Sequence, residues 1–142
     1  MKKLYVVGNK ASKSLSPTIF NYWFKKYNIK ASYGYLELTE KNFHKKIKEV
    51  LEKKDTLGLN VTIPFKNKII KHLGKIDAHA KKIGAVNCVT NKKTINGTNT
   101  DWTGYYKTLP NIKKTKNRKV IILGYGGASH AIHYVLKKRG FK

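Results

Sequence analysis

Acidic side chains are scarce in this chain: 7 Asp and Glu stand against 31 Lys and Arg, a net charge of +24 over 142 residues. Arginine is nearly missing as well, being confined to Arg118 and Arg139. Base readout in duplex DNA leans on arginine forks, whereas dispersed lysine gives only salt-sensitive phosphate attraction. The lysines are spread along every predicted element, so the charge argues against nucleic acid as the main partner. It suits a basic field that draws small anions into a cleft, and abundant Lys, Asn and Ile with little Arg also fits a compositional bias of the source. Cys88 is the sole cysteine, which excludes an intrachain disulfide and a thiolate metal cluster. No apolar run approaches the ~18 residues of a membrane span. Only four apolar residues follow the basic start before Gly8, too few for the core of a signal peptide. The expectation is a soluble cytoplasmic protein without membrane contact, of one domain or one domain and a piece of a second.

What is present alternates between strand and helix patterns. Leu4–Gly8 reads as a first strand. Ser16-Pro17 is a helix start, serine as N-cap and proline at the first helical position. Ile19, Phe20, Trp23, Phe24 and Tyr27 form one broad apolar face, read as core packing, and Asn28 ends that helix. Ala31–Leu38 alternates as a second strand. Thr39 caps a helix through about Lys53, with Phe43, Ile47, Val50 and Leu51 inward. Thr56–Ile63 is a third strand, and Pro64 opens a helix to about Leu73, with Lys66 just inside it. Ile76–Gly84 is a short helical piece. Val86–Asn91 and Lys93–Thr98 alternate like strands about a turn, and Asp101–Leu109 is helical, capped by Thr100 or Asp101.

The polar, lysine-rich stretch 110–118 is the clearest composition shift and is read as a linker. After it, Val120-Ile121-Ile122-Leu123 is a continuous apolar run of the kind buried on both faces of a parallel sheet. A glycine loop and a helix to about Arg139 follow. The fold class is therefore α/β: a first domain with an open, mostly parallel sheet over residues 1–109, then the opening strand–helix unit of a Rossmann-type domain over 119–142. One such unit cannot bury both faces of its strand, so this second domain is expected to be cut off after its first unit.

Chemistry-bearing residues gather at the junctions. The loop Gly124-Tyr125-Gly126-Gly127-Ala128-Ser129 lies between a predicted strand and a helix, the context of a dinucleotide fingerprint. Gly124 would allow the tight turn, and Gly126 would let a pyrophosphate approach the helix N-terminus. His130 and His133 are read as solvent-facing. Ser14 and Ser16 place two hydroxyls on one side of an extended segment. Asn60, Thr62 and Lys66 cluster where the third strand ends, Asn87 sits at a helix-to-strand junction and Asp101 at a strand-to-helix junction. Hydroxyls, amides, one lysine and one carboxylate at strand ends suit a small polyhydroxylated ligand, and no residue cluster indicates a metal.

These motifs in this order, Ser-Leu-Ser-Pro, Asn-Val-Thr-Ile-Pro-Phe-Lys, Gly-Ala-Val-Asn, Asn-Thr-Asp-Trp-Thr-Gly and Gly-Tyr-Gly-Gly-Ala, closely resemble shikimate dehydrogenase of the shikimate/quinate dehydrogenase family. The resemblance covers the whole chain. It implies NADPH-dependent, reversible reduction of 3-dehydroshikimate to shikimate, on the route to chorismate and the aromatic amino acids, in a monomer or homodimer. By matching position it implies that Ser14, Ser16, Asn60, Thr62, Lys66, Asn87 and Asp101 line the substrate site, with Lys66 and Asp101 catalytic. Gly124, Tyr125, Gly126, Gly127, Ala128 and Ser129 would hold the cofactor phosphates. A free lysine, with a pKa of ~10.4, is protonated at neutral pH, which suits Lys66 as donor of the proton a developing alkoxide needs.

The departures from the family are Phe20 where histidine is frequent, Cys88 where threonine is common, and Tyr125 and His130 in place of alanine and arginine. The family also has a further half that completes the nucleotide domain. Three alternatives stay open at this stage: a quinate/shikimate dehydrogenase using NAD, a non-catalytic shikimate-binding domain, and a basic nucleic-acid module.

Overall fold

The computed structural model describes residues 1–109 and 119–141. The expected linker 110–118 lies outside the described residues. Six strands form one sheet in the order β2-β1-β3-β5-β6-β4. They are β1 (Lys2–Gly8), β2 (Ala31–Glu37), β3 (Thr56–Val61), β4 (Lys75–Ile76), β5 (Cys88–Asn91) and β6 (Ile95–Thr98). β1 runs parallel to both β2 and β3, and β4 runs parallel to β6, whereas β5 is antiparallel to β3 and to β6. The helices are α1 (Ser16–Lys26), α2 (Phe43–Leu51), α3 (Ala78–Ile83), α4 (Asp101–Thr108) and α5 (Gly127–Lys138). The α/β class and the mostly parallel sheet are as expected.

Alternation along β1 distributes the core. Leu4 and Val6 face α1 with Ala11, Phe20, Phe24 and Tyr33. Tyr5 and Val7 face the other way, towards Phe43, Ile47, Val61, Phe65 and Ile69, as the two-residue period of a strand requires. On α2, Phe43, Ile47, Val50 and Leu51 all point inward. α5 docks on α3 and α4 through Ala131 and Tyr134 against Ile83, Ala85 and Trp102.

Several boundaries and one packing expectation need correction. The α1 stripe is only partly core: Phe20 and Phe24 pack, but Ile19, Trp23 and Tyr27 remain exposed. α1 packs chiefly on β2 and β1. Ser16 is the first residue of α1 and not its N-cap; Leu15 holds that place without a side-chain bond. α2 starts at Phe43, and Asn42 is its N-cap. Asn42 Oδ1 accepts from the Thr39 N–H (2.8 Å), reversing the role expected of Thr39. Ile76 belongs to β4, and Asp77 caps α3 by accepting from the N–H groups of His79 and Ala80. Thr100 is the N-cap of α4, one of the two residues expected there, but the capping side chain is that of Asn99, which accepts from the N–H groups of Asp101 and Trp102.

Two larger corrections concern the third strand and the second apolar run. No helix starts at Pro64: β3 ends at Val61, the Ile63–Pro64 peptide is cis, and only a 3-10 turn forms, at Lys68–His72. In the irregular stretch between, the Phe65 side chain is drawn wholly into the core onto Phe43. Val120–Leu123 forms no strand; Ile121 and Leu123 are 86% and 94% exposed. No described strand lies beside it, and an apolar run without a ladder partner is neither paired nor covered.

His44 of α2 and His72 approach Nδ1 to Nε2 at 2.8 Å, both edge-on to Phe43. Burial and then the His44 charge hold His72 below its ordinary value of 6.5. Among the described residues, the ion pairs on or beside these elements are Glu40–Lys68, Lys46–Glu49 and Lys48–Glu52. A folded-state value below the unfolded one means stability is present above pH ~6.5 and lost as pH falls through the folded value. The urea midpoint should therefore drop between pH 7.5 and 5.5, before the carboxylates titrate, and His72→Gln should flatten that drop. An equal drop in the variant would rule this pair out as its source.

Candidate functional site

The site is built where the C-terminal ends of β1 and β3 meet the loops flanking β5 and β6, the region in which open parallel sheets hold small ligands. β1 leads through a 3-10 turn at Ala11–Lys13 to Ser14 and Ser16. The Ser14 hydroxyl donates to Ser16 Oγ (3.1 Å), and the Ser16 N–H donates back to Ser14 Oγ (3.2 Å). Leu15 between them is in the helical region, so the segment is not extended throughout, yet the two hydroxyls still meet. β3 delivers Asn60, and Thr62 follows it, its N–H bonded to Val7 carbonyl oxygen (2.8 Å). Asn87 sits before β5, its backbone joined to both Val61 and Thr98. Ser14, Ser16, Asn60, Thr62 and Asn87 line one cleft of about 500 Å³, together with Lys10, Lys13 and Phe20.

The ionic centre adjoins this cleft through Asn87. Lys66 Nζ lies 2.7 Å from Asp101 Oδ2, with side chains 13% and 30% exposed. Asn87 Nδ2 donates to Asp101 Oδ1 (2.7 Å) and to Thr100 Oγ1 (2.9 Å), while its Oδ1 accepts from the Thr100 N–H (2.8 Å). Both carboxylate oxygens thus have a fixed donor, which sets the plane of the group. Lys66 is held from the chain side as well: its carbonyl oxygen accepts from the Val86 N–H (2.7 Å), and Phe65 beside it is buried. The two residues stand 35 positions apart in sequence. An ammonium paired with a carboxylate beside hydroxyl and amide donors can give up a proton to a polar ligand and hold that ligand's hydroxyl.

The glycine loop reaches the same place from the other side. Gly124 has φ +107, a left-handed backbone that favours glycine. Gly126 is the N-cap of α5 and carries no capping side chain, so the first N–H groups of that helix are free to meet an anion. A Cβ built on Gly127 would lie 2.9 Å from Lys66 Cβ and 3.0 Å from its Cδ; the loop therefore rests on the stem of Lys66. Lys66, Gly126, Gly127, Tyr125 and His130 share a cavity of about 260 Å³. His130 is only half exposed, its buried Nε2 has no partner, and its ring meets Tyr125 at 4.7 Å; the solvent-facing reading holds for His133 alone. A larger cavity of about 820 Å³ between α3 and α5 gathers Lys81, Lys82, His133 and Lys137, but it contains neither the ion pair nor the serines.

The model of the shikimate dehydrogenase substrate-binding domain matches residues 6–89. The chain belongs to the shikimate dehydrogenase family. It is 42% identical over 139 residues to the shikimate dehydrogenase (NADP(+)) of Staphylococcus aureus strain Newman, covering 96% of this chain and 51% of that protein. The crystal structure of shikimate dehydrogenase from Aquifex aeolicus superposes with a TM-score of 0.87 at 35% identity, covering 100% of this chain and 54% of that one. The Thermus thermophilus shikimate 5-dehydrogenase, solved in complex with NADP(H) and shikimate, superposes with a TM-score of 0.82 at 29% identity, covering 99% and 54%. The chain spans about half the length of the curated relatives it matches.

Sequence reasoning gave no role in this candidate site to three residues that shape it. Thr100 orients Asn87, and Tyr33 bonds Asn60 from 27 residues away. Asn99 is buried, donating to the Ala85 carbonyl oxygen (2.9 Å) while it caps α4, and so fixes where Asp101 emerges. Of these, only the Asn99 cap leaves a readable trace, an amide two residues before the helix.

Proposed function

We propose that the chain supplies the substrate-binding and proton-donating part of an NADP-dependent shikimate dehydrogenase, reducing 3-dehydroshikimate reversibly to shikimate. The Lys66–Asp101 pair beside the Ser14, Ser16, Asn60, Thr62 and Asn87 cleft carries this reading. The names of the relatives support the NADP assignment, and the uncapped start of α5 behind a left-handed Gly124 suits a pyrophosphate. Gly124 to Ser129 would hold it, and when bound the cofactor supplies a hydride.

The remaining work falls to this chain's side chains. As the substrate's carbonyl carbon becomes an alcohol carbon, its oxygen gains negative charge. Lys66 Nζ donates a proton to that oxygen, and Asp101 accepts a neighbouring substrate hydroxyl while holding the ammonium in place. Charge developing beside a fixed donor is the arrangement that lowers such barriers most. Asn87 fixes the carboxylate, and the serine hydroxyls with Asn60 and Thr62 bind the polar rim of the ring. In the reverse direction, Lys66 receives the proton.

Calorimetric titration of the chain with shikimate tests the binding half. Saturable heat is expected, and Asp101→Ala should weaken it roughly 10- to 100-fold, the loss of one hydrogen bond to a charged group. No saturable response from the parent chain would end this reading.

A further inference from the structure

Tyr33 is buried at the β2 edge, where its ring stacks on Phe20 at 4.6 Å and 8°. Asn21 of α1 clamps its backbone on both sides, donating to the Tyr33 carbonyl oxygen (2.8 Å) and accepting from its N–H (2.9 Å). The hydroxyl therefore has little freedom, and it donates to Asn60 Oδ1 at 2.7 Å. Burial, with a smaller push from Cys88, raises this phenol to about 12, so it keeps its proton throughout the physiological range. Among the described residues, Asn60 Nδ2 makes no hydrogen bond.

We infer that Tyr33 is a positioning residue: by occupying the amide oxygen of Asn60, its hydroxyl turns the Asn60 Nδ2 donor towards the ligand cleft. An amide has one acceptor end and one donor end, so fixing the first decides what the second can recognise. The ligand atom facing Asn60 must then be an acceptor oxygen. A free amide would rotate and present either end, accepting ligands whose hydroxyl donates there. The Phe20–Asn21–Tyr33 assembly thus ties the register of α1 and β2 to the selectivity of a residue on β3. The ligand side of this inference rests on the shikimate reading above.

The test compares shikimate affinity and thermal unfolding for the full chain and four variants. Tyr33→Phe keeps the ring stack and removes only the hydroxyl; the midpoint should move little while affinity falls roughly five- to ten-fold, the worth of one neutral hydrogen bond. Asn60→Asp keeps an acceptor for Tyr33 but has no donor, and should lose more than Tyr33→Phe. In an Asn60→Ala background, Tyr33→Phe should cost nothing further. Affinity of Tyr33→Phe within two-fold of the parent, with the parent binding normally, overturns the positioning role and leaves the shikimate reading standing. A Tyr33→Phe loss that persists in full without Asn60 overturns it too. A parent chain that does not bind shikimate overturns both.

Discussion

Replacing Lys66 by methionine should lower turnover ~10²- to 10⁴-fold, the usual worth of a positioned general acid, when this chain is joined to a complete nucleotide domain. Shikimate affinity should stay within a few-fold. Methionine retains the unbranched stem on which Gly127 rests, so the glycine loop keeps its seat while the donor disappears. Asp101 loses the partner on Oδ2, but Asn87 still holds Oδ1 at 2.7 Å, so the carboxylate keeps one of its two fixed donors. Binding depends on the hydroxyl and amide wall as well as on the pair, whereas proton delivery depends on one nitrogen. That difference predicts a fall in kcat with little change in KM, the mark of an interaction made mainly in the transition state. Single-turnover oxidation of NADPH by 3-dehydroshikimate measures it without interference from product release. A variant that kept more than a tenth of the parent rate would remove Lys66 from the proton path.

Why the sequence reveals some of this and hides the rest can be seen residue by residue. Leu59 and Val61 alternate with Asn60, so the third strand is readable from a two-residue period, though the alternation runs on to Ile63 while β3 ends at Val61. The inward set Phe43, Ile47, Val50 and Leu51 is equally plain on α2. Both patterns are local. The misread segment Pro64–Leu73 is anchored by a contact 22 positions away, Phe65 on Phe43, and no window of neighbouring residues contains that tertiary setting. Val120–Leu123 has the composition of a buried strand, but burial belongs to the partner strands, and none is present among the described residues. Tyr33 reads as one more alternating aromatic on β2; its hydroxyl matters only because the parallel register sets β1 between it and β3. The α2 cap lies three residues past Thr39, at Asn42, and Asn99 supplies the capping side chain beside Thr100; propensity scarcely separates those residue types.

Truncating Phe65 to alanine should destabilise the fold by ~3–5 kcal/mol, a large share of the ~5–15 kcal/mol a domain holds in total. Phe65 is fully buried and stacks on Phe43 at 4.2 Å and 11°. Its loss would leave a cavity in the main core, between α2 and the sheet, bordered by Ile69 and Val61. Thermal unfolding should fall by roughly 10 °C or more. The consequence for function is separable from the global loss. Phe43→Ala empties the same stack from the α2 side and should cost a similar amount, but it does not border Lys66. Phe65 does, and with it gone the backbone of Lys66 is held by the bond to Val86 and little else. At a temperature where both variants are fully folded, Phe65→Ala should therefore weaken shikimate binding several-fold more than Phe43→Ala. Equal binding losses at equal destabilisation would mean that the core supports the fold without placing the lysine, and that the contacts made by Asp101 and Gly127 place it unaided.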